Sequence, residues 1–266
     1  MTLRAAAIGD NCIDVYPRLG RQYCTGNAVD VAANLHQLGI ATSIISATGS
    51  DPNGRLMVET LTRLGLDLSH LHTLEGQTAV TYMDMTEARD RIHGEYVEGV
   101  LEHIRYSEQD IEFAAGHDLV HSAFWGKADG HLEQLRARGA RISFDYATKR
   151  DDPLVERTLR WVDYAFFSFS DHRQAAETFL SAVVAQGPKI AVATFGSQGS
   201  LAYDGHEFYS FGICPARVEN TVGAGDAFIA GFIYGVLMHY DIQRCLQTGA
   251  RQAARVVEVF EPWVNY

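Results

Sequence analysis

Six short apolar runs punctuate the sequence: RAAAIG from residue 4, TSIISATG from 42, DLVHSAF from 118, RISFDYA from 141, DYAFFSF from 163 and KIAVATFG from 189. Each has strand length and is flanked by turn or polar residues, the pattern of strands buried in a parallel sheet. Amphipathic stretches lie between them. In NAVDVAANLHQLG, Ala28, Val31, Leu35 and Leu38 recur at helical spacing and Gly39 closes the helix. GRLMVETLTRLG ends the same way at Gly65, and QAAETFLSAVVAQG at Gly187. The chain closes with two more helical patterns, GDAFIAGFIYGVLMHY and IQRCLQTGARQAARVVEVF. Strand–helix alternation of this regularity predicts an α/β fold with a mostly parallel sheet covered on both faces. At 266 residues and 47% apolar, the chain can bury a full core, and a single domain spanning 1–266 is expected.

Two segments depart from that rhythm. TAVTYMDM and RIHGEYV, joined by a turn around EARD, read as a β-hairpin within residues 72–98. A second β candidate, DVYPRLGRQYC, falls within about 11–24. The two are expected to pair into a small sheet beside the C-terminal ends of the main strands, where open α/β sheets bind ligands.

Charge and cysteine usage exclude several classes. A net charge of −11 argues against a broad nucleic-acid or anionic-membrane surface but leaves room for a local anion site. Cys12, Cys24, Cys214 and Cys245 are scattered without a CxxC pair, consistent with reduced thiols. MTLRAAAIGDN lacks the apolar length of a signal peptide, and no run is long enough to span a bilayer. A cytoplasmic protein is expected. The histidines, His93 among them, show no HxxxH spacing with a third partner, so no resident metal is anticipated.

The chemistry concentrates in NTVGAGDAFIAGF, residues 220–232. Gly223 and Gly225 let backbone approach a ligand at the start of a helix, where unpaired N–H groups and the dipole favour an anion. The amides of Gly223, Ala224 and Gly225 can thus hold phosphate oxygens. An aspartate there, Asp226, makes sense if it accepts the proton of a hydroxyl that attacks the phosphate. Alone, the same aspartate would serve as a helix cap.

Two motifs in order carry a family resemblance. NTVGAGDAFIAGF resembles the C-terminal signature of the ribokinase-like (PfkB) carbohydrate kinases, DTxGAGDxFxxGF, and TGNAVDVAANLHQLG at 25–39 resembles their N-terminal signature. The resemblance covers essentially the whole chain. It implies a three-layer ribokinase-like sandwich with a small β lid over the site, and ATP and Mg²⁺ as the phosphoryl donor and its ion. It implies Asp226 as catalytic base with Gly223–Gly225 as anion hole. It also implies sugar contacts from Asp14, Gly26 and Asn27, nucleotide contacts from Thr194, Gly196 and Gly199 in TFGSQGSLAYDG, and a homodimer formed through the lid.

Departures from the family pattern mark places to check. Ser168-Phe169-Ser170-Asp171 stands where NxxE is common, leaving Asp171 to reach Mg²⁺ through water. Asn220 replaces an aspartate that in many members helps bind a monovalent cation, so indifference to potassium is expected. Thr25 and Asp30 replace a glycine and an asparagine. IGDNCIDVYP, GEYVEGV, HSAFWGKAD and SFDYATK resemble the branch of the family that phosphorylates the 6-hydroxyl of Amadori sugars such as fructoselysine. For such a substrate, acidic groups beside the pocket are expected: Glu98 foremost, with Asp84, Glu87, Asp90 and Glu95 on the lid, and Arg89 and Arg91 as carboxylate partners. Asp145 and Lys149 are expected to face the cleft. A kinase of free fructose or another small sugar, or a non-catalytic sugar or nucleotide sensor, are the alternatives.

Overall fold

The computed structural model describes residues 2–85, 91–170 and 173–264. All six apolar runs form strands of one nine-stranded sheet: β1 (Arg4–Ile8), β4 (Ala41–Gly49), β8 (Leu119–Ala123), β9 (Ile142–Asp145), β10 (Tyr164–Ser168) and β11 (Ile190–Thr194). β5 (Asp67–Leu74) is added at one edge; β12 (Ser200–Tyr203) and β13 (Phe208–Phe211) are added at the other, in the order β13-β12-β11-β10-β9-β8-β1-β4-β5. Pairing is parallel except at β11–β12 and β12–β13.

Alternation along each strand sorts side chains to two apolar layers. Ala165 and Phe167 of β10 pack with α3 (Glu108–Ala115), α4 (Leu132–Ala137), α5 (Pro153–Thr158) and α6 (Arg173–Val184). Tyr164 and Phe166 face the other way, against α1 (Asn27–Gln37), α7 (Ala224–Leu237) and α8 (Ile242–Val256). α2 (Pro52–Leu64) completes that second layer. The helices begin where the sequence offers a cap. Asp51 accepts from the Gly54 N–H at 2.9 Å ahead of α2, and Asp241 accepts from Arg244 N–H at 2.7 Å ahead of α8. α7 is apolar on nearly every side because it lies between the sheet, α1 and α8.

The two β excursions pair with each other. β2 (Cys12–Tyr16) and β3 (Arg21–Thr25) form one hairpin, and β6 (Val80–Met85) and β7 (Arg91–Val97) another. β2 runs parallel to β6, so the four make a separate sheet in the order β3-β2-β6-β7. His72–Leu74, read with the hairpin region from the sequence, instead end β5 in the large sheet. The reason is compositional: DLSHLHTL is an edge strand with polar residues on its exposed side and lacks the continuous apolar run of the interior strands. Glu87, Arg89 and Asp90, in the expected turn, lie outside the described residues. Tyr16, Tyr23, Met83, Val222 and Phe260 form a small core that docks the second sheet on the loop before α7. A 250 Å³ cavity beside Arg18, Tyr82 and Ile92 opens on this sheet. Among the described residues, no helix is long and apolar enough to cross a membrane, and all four cysteines are free.

Candidate active site

The loop before α7 is shaped by packing beneath it. Gly223 takes φ 72°, and a Cβ there would fall 2.6 Å from Pro262, so this position demands glycine twice over. A Cβ on Gly225 would meet nothing within 4 Å, which marks the open floor of the site. Asn220, buried, donates its amide to Phe260 O at 2.8 Å and accepts from the Val222 N–H at 3.1 Å. Of the three amides read as anion donors, that of Ala224 already donates to Thr221 O at 3.3 Å, a long turn bond that an anion must share or replace.

Asp226 stands in the first turn of α7, half-buried, and Asn27 holds it. The Asn27 amide donates to Asp226 Oδ1 at 2.6 Å and to Asp145 Oδ2 at 2.9 Å. Its carbonyl faces His121 Nε2 at 2.8 Å, and His121 Nδ1 meets Ser143 Oγ at 3.0 Å. The donor pattern fixes the tautomer: both amide hydrogens go to carboxylates, so the amide oxygen accepts and His121 carries its proton on Nε2. Burial pushes the His121 pKa down to about 3, so the imidazole is neutral. β8 and β9 bring the parts together, since His121 is in register with Ser143 and Asp145 follows on the same face. Asn27, expected from the sequence to contact the sugar, thus also links Asp226, Asp145 and His121 through its side-chain amide.

Gly26 precedes Asn27 at φ 122°, where a Cβ would lie 2.6 Å from Asn11 Cα. Without a side chain to cap α1, the chain borrows one: Asp10 Oδ2 accepts from the Asn27 N–H at 3.1 Å. The two departures in this segment answer each other, because Thr25 Oγ1 donates to Asp30 Oδ2 at 2.8 Å in the interior.

Carboxylates crowd this end of the sheet. Burial raises the pKa of Asp10, Asp30 and Asp145, the last to about 6; the charge of Asp226 adds to the effect at Asp30, and that of Asp10 adds to it at Asp145. Asp14 on β2 is buried and adds to the raised pKa of Asp30, so it belongs to the same field. Burial, then Asp14, pushes the Cys12 thiol well up, leaving a poor nucleophile.

The other candidates have different partners. Thr194 ends β11 with its hydroxyl 3.5 Å from Ser168 Oγ, Gly196 opens toward free space, and Gly199 passes close to Phe211 O. These line the β10–β11 end of the strand tips. Glu98 pairs with Lys127 Nζ at 2.5 Å, which ties it to the turn after β8. Asp84 pairs with Arg18 at 2.9 Å across the small sheet. Lys149 lies over the Phe124 ring at 5.9 Å. Asp171 lies outside the described residues. His121 and Asp10 escaped the sequence reading, although a histidine between valine and serine in a fully buried strand was the signal that a polar partner must face it.

This constellation, an acid at a helix mouth beside a glycine-built anion loop, is what phosphoryl transfer to an alcohol requires. Residues 13–262 match the model of the pfkB family carbohydrate kinases, and the chain belongs to that family. It is an ATP-dependent sugar kinase. Fructoselysine 6-kinase of Escherichia coli (strain K12) is 37% identical over 97% of this chain and 98% of its own length. Fructosamine kinase FrlD of Bacillus subtilis (strain 168) is 30% identical over 97% of this chain and 92% of its own. Arabidopsis thaliana ribokinase, solved with ribose and ATP, superposes with a TM-score of 0.86 at 18% identity, over 97% of this chain and 94% of that one.

Proposed function

We propose that the protein transfers the γ-phosphoryl group of ATP to the 6-hydroxyl of an Amadori sugar, with fructoselysine the preferred acceptor. The observation that carries this reading is the Asp226 carboxylate, held by Asn27 at the mouth of α7 within a field of further carboxylates. The acceptor oxygen forms its bond to phosphorus as the bond to the bridging oxygen of ADP breaks, and the hydroxyl proton passes to Asp226. The Gly223–Gly225 loop stabilises charge on the transferring group. Asp14 and Gly26 border the sugar, and Thr194, Gly196 and Gly199 border the nucleotide. Bound with ATP, Mg²⁺ would supply charge neutralisation to the phosphates, and Asp171 is the residue that the family resemblance assigns to hold it, through water.

The substrate class follows from charge. An Amadori compound carries a secondary amine, cationic near neutral pH, next to the sugar. Asp10, Asp14 and Asp145 offer that cation a place, and the largest influences on Asp10 and Asp145 include no lysine or arginine. The names of the two relatives given above, at 37% and 30% identity, support the same class. A second copy of the chain is the expected cover for the exposed Tyr82, Ile92 and Tyr96 of the small sheet. The Asn220 amide already bonds Phe260 O, which supports indifference to potassium.

The test is ADP release with Mg·ATP across fructoselysine, other fructosyl amino acids, fructose and ribose, in potassium and in sodium buffer. A kcat/KM for fructoselysine well above that for fructose is expected, equal in both salts. Turnover of fructose as good as that of fructoselysine would reduce the activity to a general sugar kinase. Binding of ATP and sugar without ADP release would leave only a sensor.

A further inference from the structure

One cluster of ligand-type side chains plays no part in this chemistry. His70 and His72, two apart on β5, project to the same side of the edge strand. His70 Nδ1 and His72 Nε2 converge on a single oxygen, Asp110 Oδ1 of α3, at 2.7 and 2.9 Å. We propose that His70, His72 and Asp110 form a binding site for a divalent transition metal of the Zn²⁺ type.

Two of the three ligands are held by something other than their fellow ligands. The second oxygen of Asp110 accepts from the Ser107 N–H at 2.8 Å and from Ser107 Oγ at 2.7 Å, which turns Oδ1 toward the histidines. The His70 ring stacks on Phe113 with centroids 3.9 Å apart and planes 16° from parallel. Such outer contacts orient metal ligands before the metal arrives. The three ligand atoms lie within 4.8 Å of one another. Tetrahedral bonds of about 2.0–2.1 Å place ligand atoms roughly 3.3 Å apart, so an ion entering here widens the two short contacts by about half an ångström.

The donor set selects the ion. Two imidazoles and one carboxylate suit Zn²⁺, Co²⁺, Ni²⁺ or Cu²⁺, whereas Mg²⁺ and Ca²⁺ call for oxygen. The Asp110 side chain is 2% exposed and that of His72 45%, which gives a buried anchor, a path for entry and room for a water as fourth ligand. In the metal-free state, ring protons on His70 Nδ1 and His72 Nε2 fill the gap; on metal binding each ring carries its proton on the other nitrogen. The ion fastens β5, an edge strand, to α3. That helix packs on the face opposite α7, so the site is separate from Asp226.

The experiment is titration of the chelator-treated full chain with Co²⁺, read by the visible d–d absorption of a low-coordinate site. One Co²⁺ per chain, displaced by Zn²⁺, is expected. His72→Gln, at a half-exposed side chain, keeps the fold by circular dichroism and weakens binding by at least roughly tenfold, a loss that even outer-layer changes cause at metal sites. His70→Gln does the same. Absence of d–d bands in the wild type overturns the proposal. So does unchanged affinity in both variants, which would put the ion on other surface histidines.

Discussion

Two groups of aspartates in this chain obey opposite electrostatics. Asp163 is fully buried, yet Arg136 at 2.6 Å, Lys189 at 2.9 Å and the Ile142 N–H at 2.9 Å surround it with donors, and its pKa is lowered despite burial. Asp110 is likewise lowered, by His70 and Ser107 above all once burial is offset. Asp10, Asp30 and Asp145 have fewer donors and other carboxylates for neighbours, and their pKa values rise. The first group stabilises the fold in its ionised form; the second is kept at a cost to stability, as a substrate-binding region often is. Burial alone therefore does not set the direction in which these acids shift; the company they keep does.

Three substitutions test that division, in falling order of effect. Asp226→Asn preserves shape and hydrogen bonding but removes the proton acceptor; kcat is expected to drop by roughly 10²–10⁴-fold with little change in ATP affinity. A near-wild-type rate of ADP release would take the base assignment away. Asp163→Ala leaves kcat intact and costs about 2–3 kcal/mol, a fall in Tm of roughly 4–10 °C. Because the folded pKa of Asp163 is depressed, its contribution is present above the unfolded value near 3.8 and is lost as pH falls through the lower folded value. The penalty seen in calorimetry should shrink in acid, and a constant penalty from pH 7 to pH 3 would contradict the pairing.

Asp145→Asn has the opposite sign. The folded pKa lies near 6 against an unfolded 3.8, so the group favours folding below 3.8 and that contribution is lost as pH rises through 6. Whatever offset the variant carries, its stability relative to wild type should improve between pH 4 and pH 8 by about 1–2 kcal/mol, after allowing for partial exposure. A difference that does not move with pH would mean Asp145 is an ordinary carboxylate.

Much of this molecule was legible in the chain. The six interior strands show themselves as continuous apolar runs, and residue type alone marks the GAGD loop as the start of a helix. β5 did not, because an edge strand such as DLSHLHTL presents polar residues to solvent and so reads as loop. Asn27 stands out in the sequence as a site residue, but sequence offers no view of the three groups its side chain touches. His121, Asp10 and the Thr25–Asp30 pair depend on contacts between segments remote in sequence or on replacements that make sense only jointly. The same holds for Asp110, whose histidine partners sit 38 and 40 residues away.

The wedge of Pro262 beneath Gly223 bears on when a newly made molecule becomes competent. Domains fold in the order in which ribosomes release them, and here the sheet, the acid and the helix that carries it all emerge before the segment that props the loop. Asn34 and Asn220 also wait on this late segment, through Pro262 O and Phe260 O. A nascent chain thus carries Asp226 and its helix before it carries the segment that packs beneath Gly223.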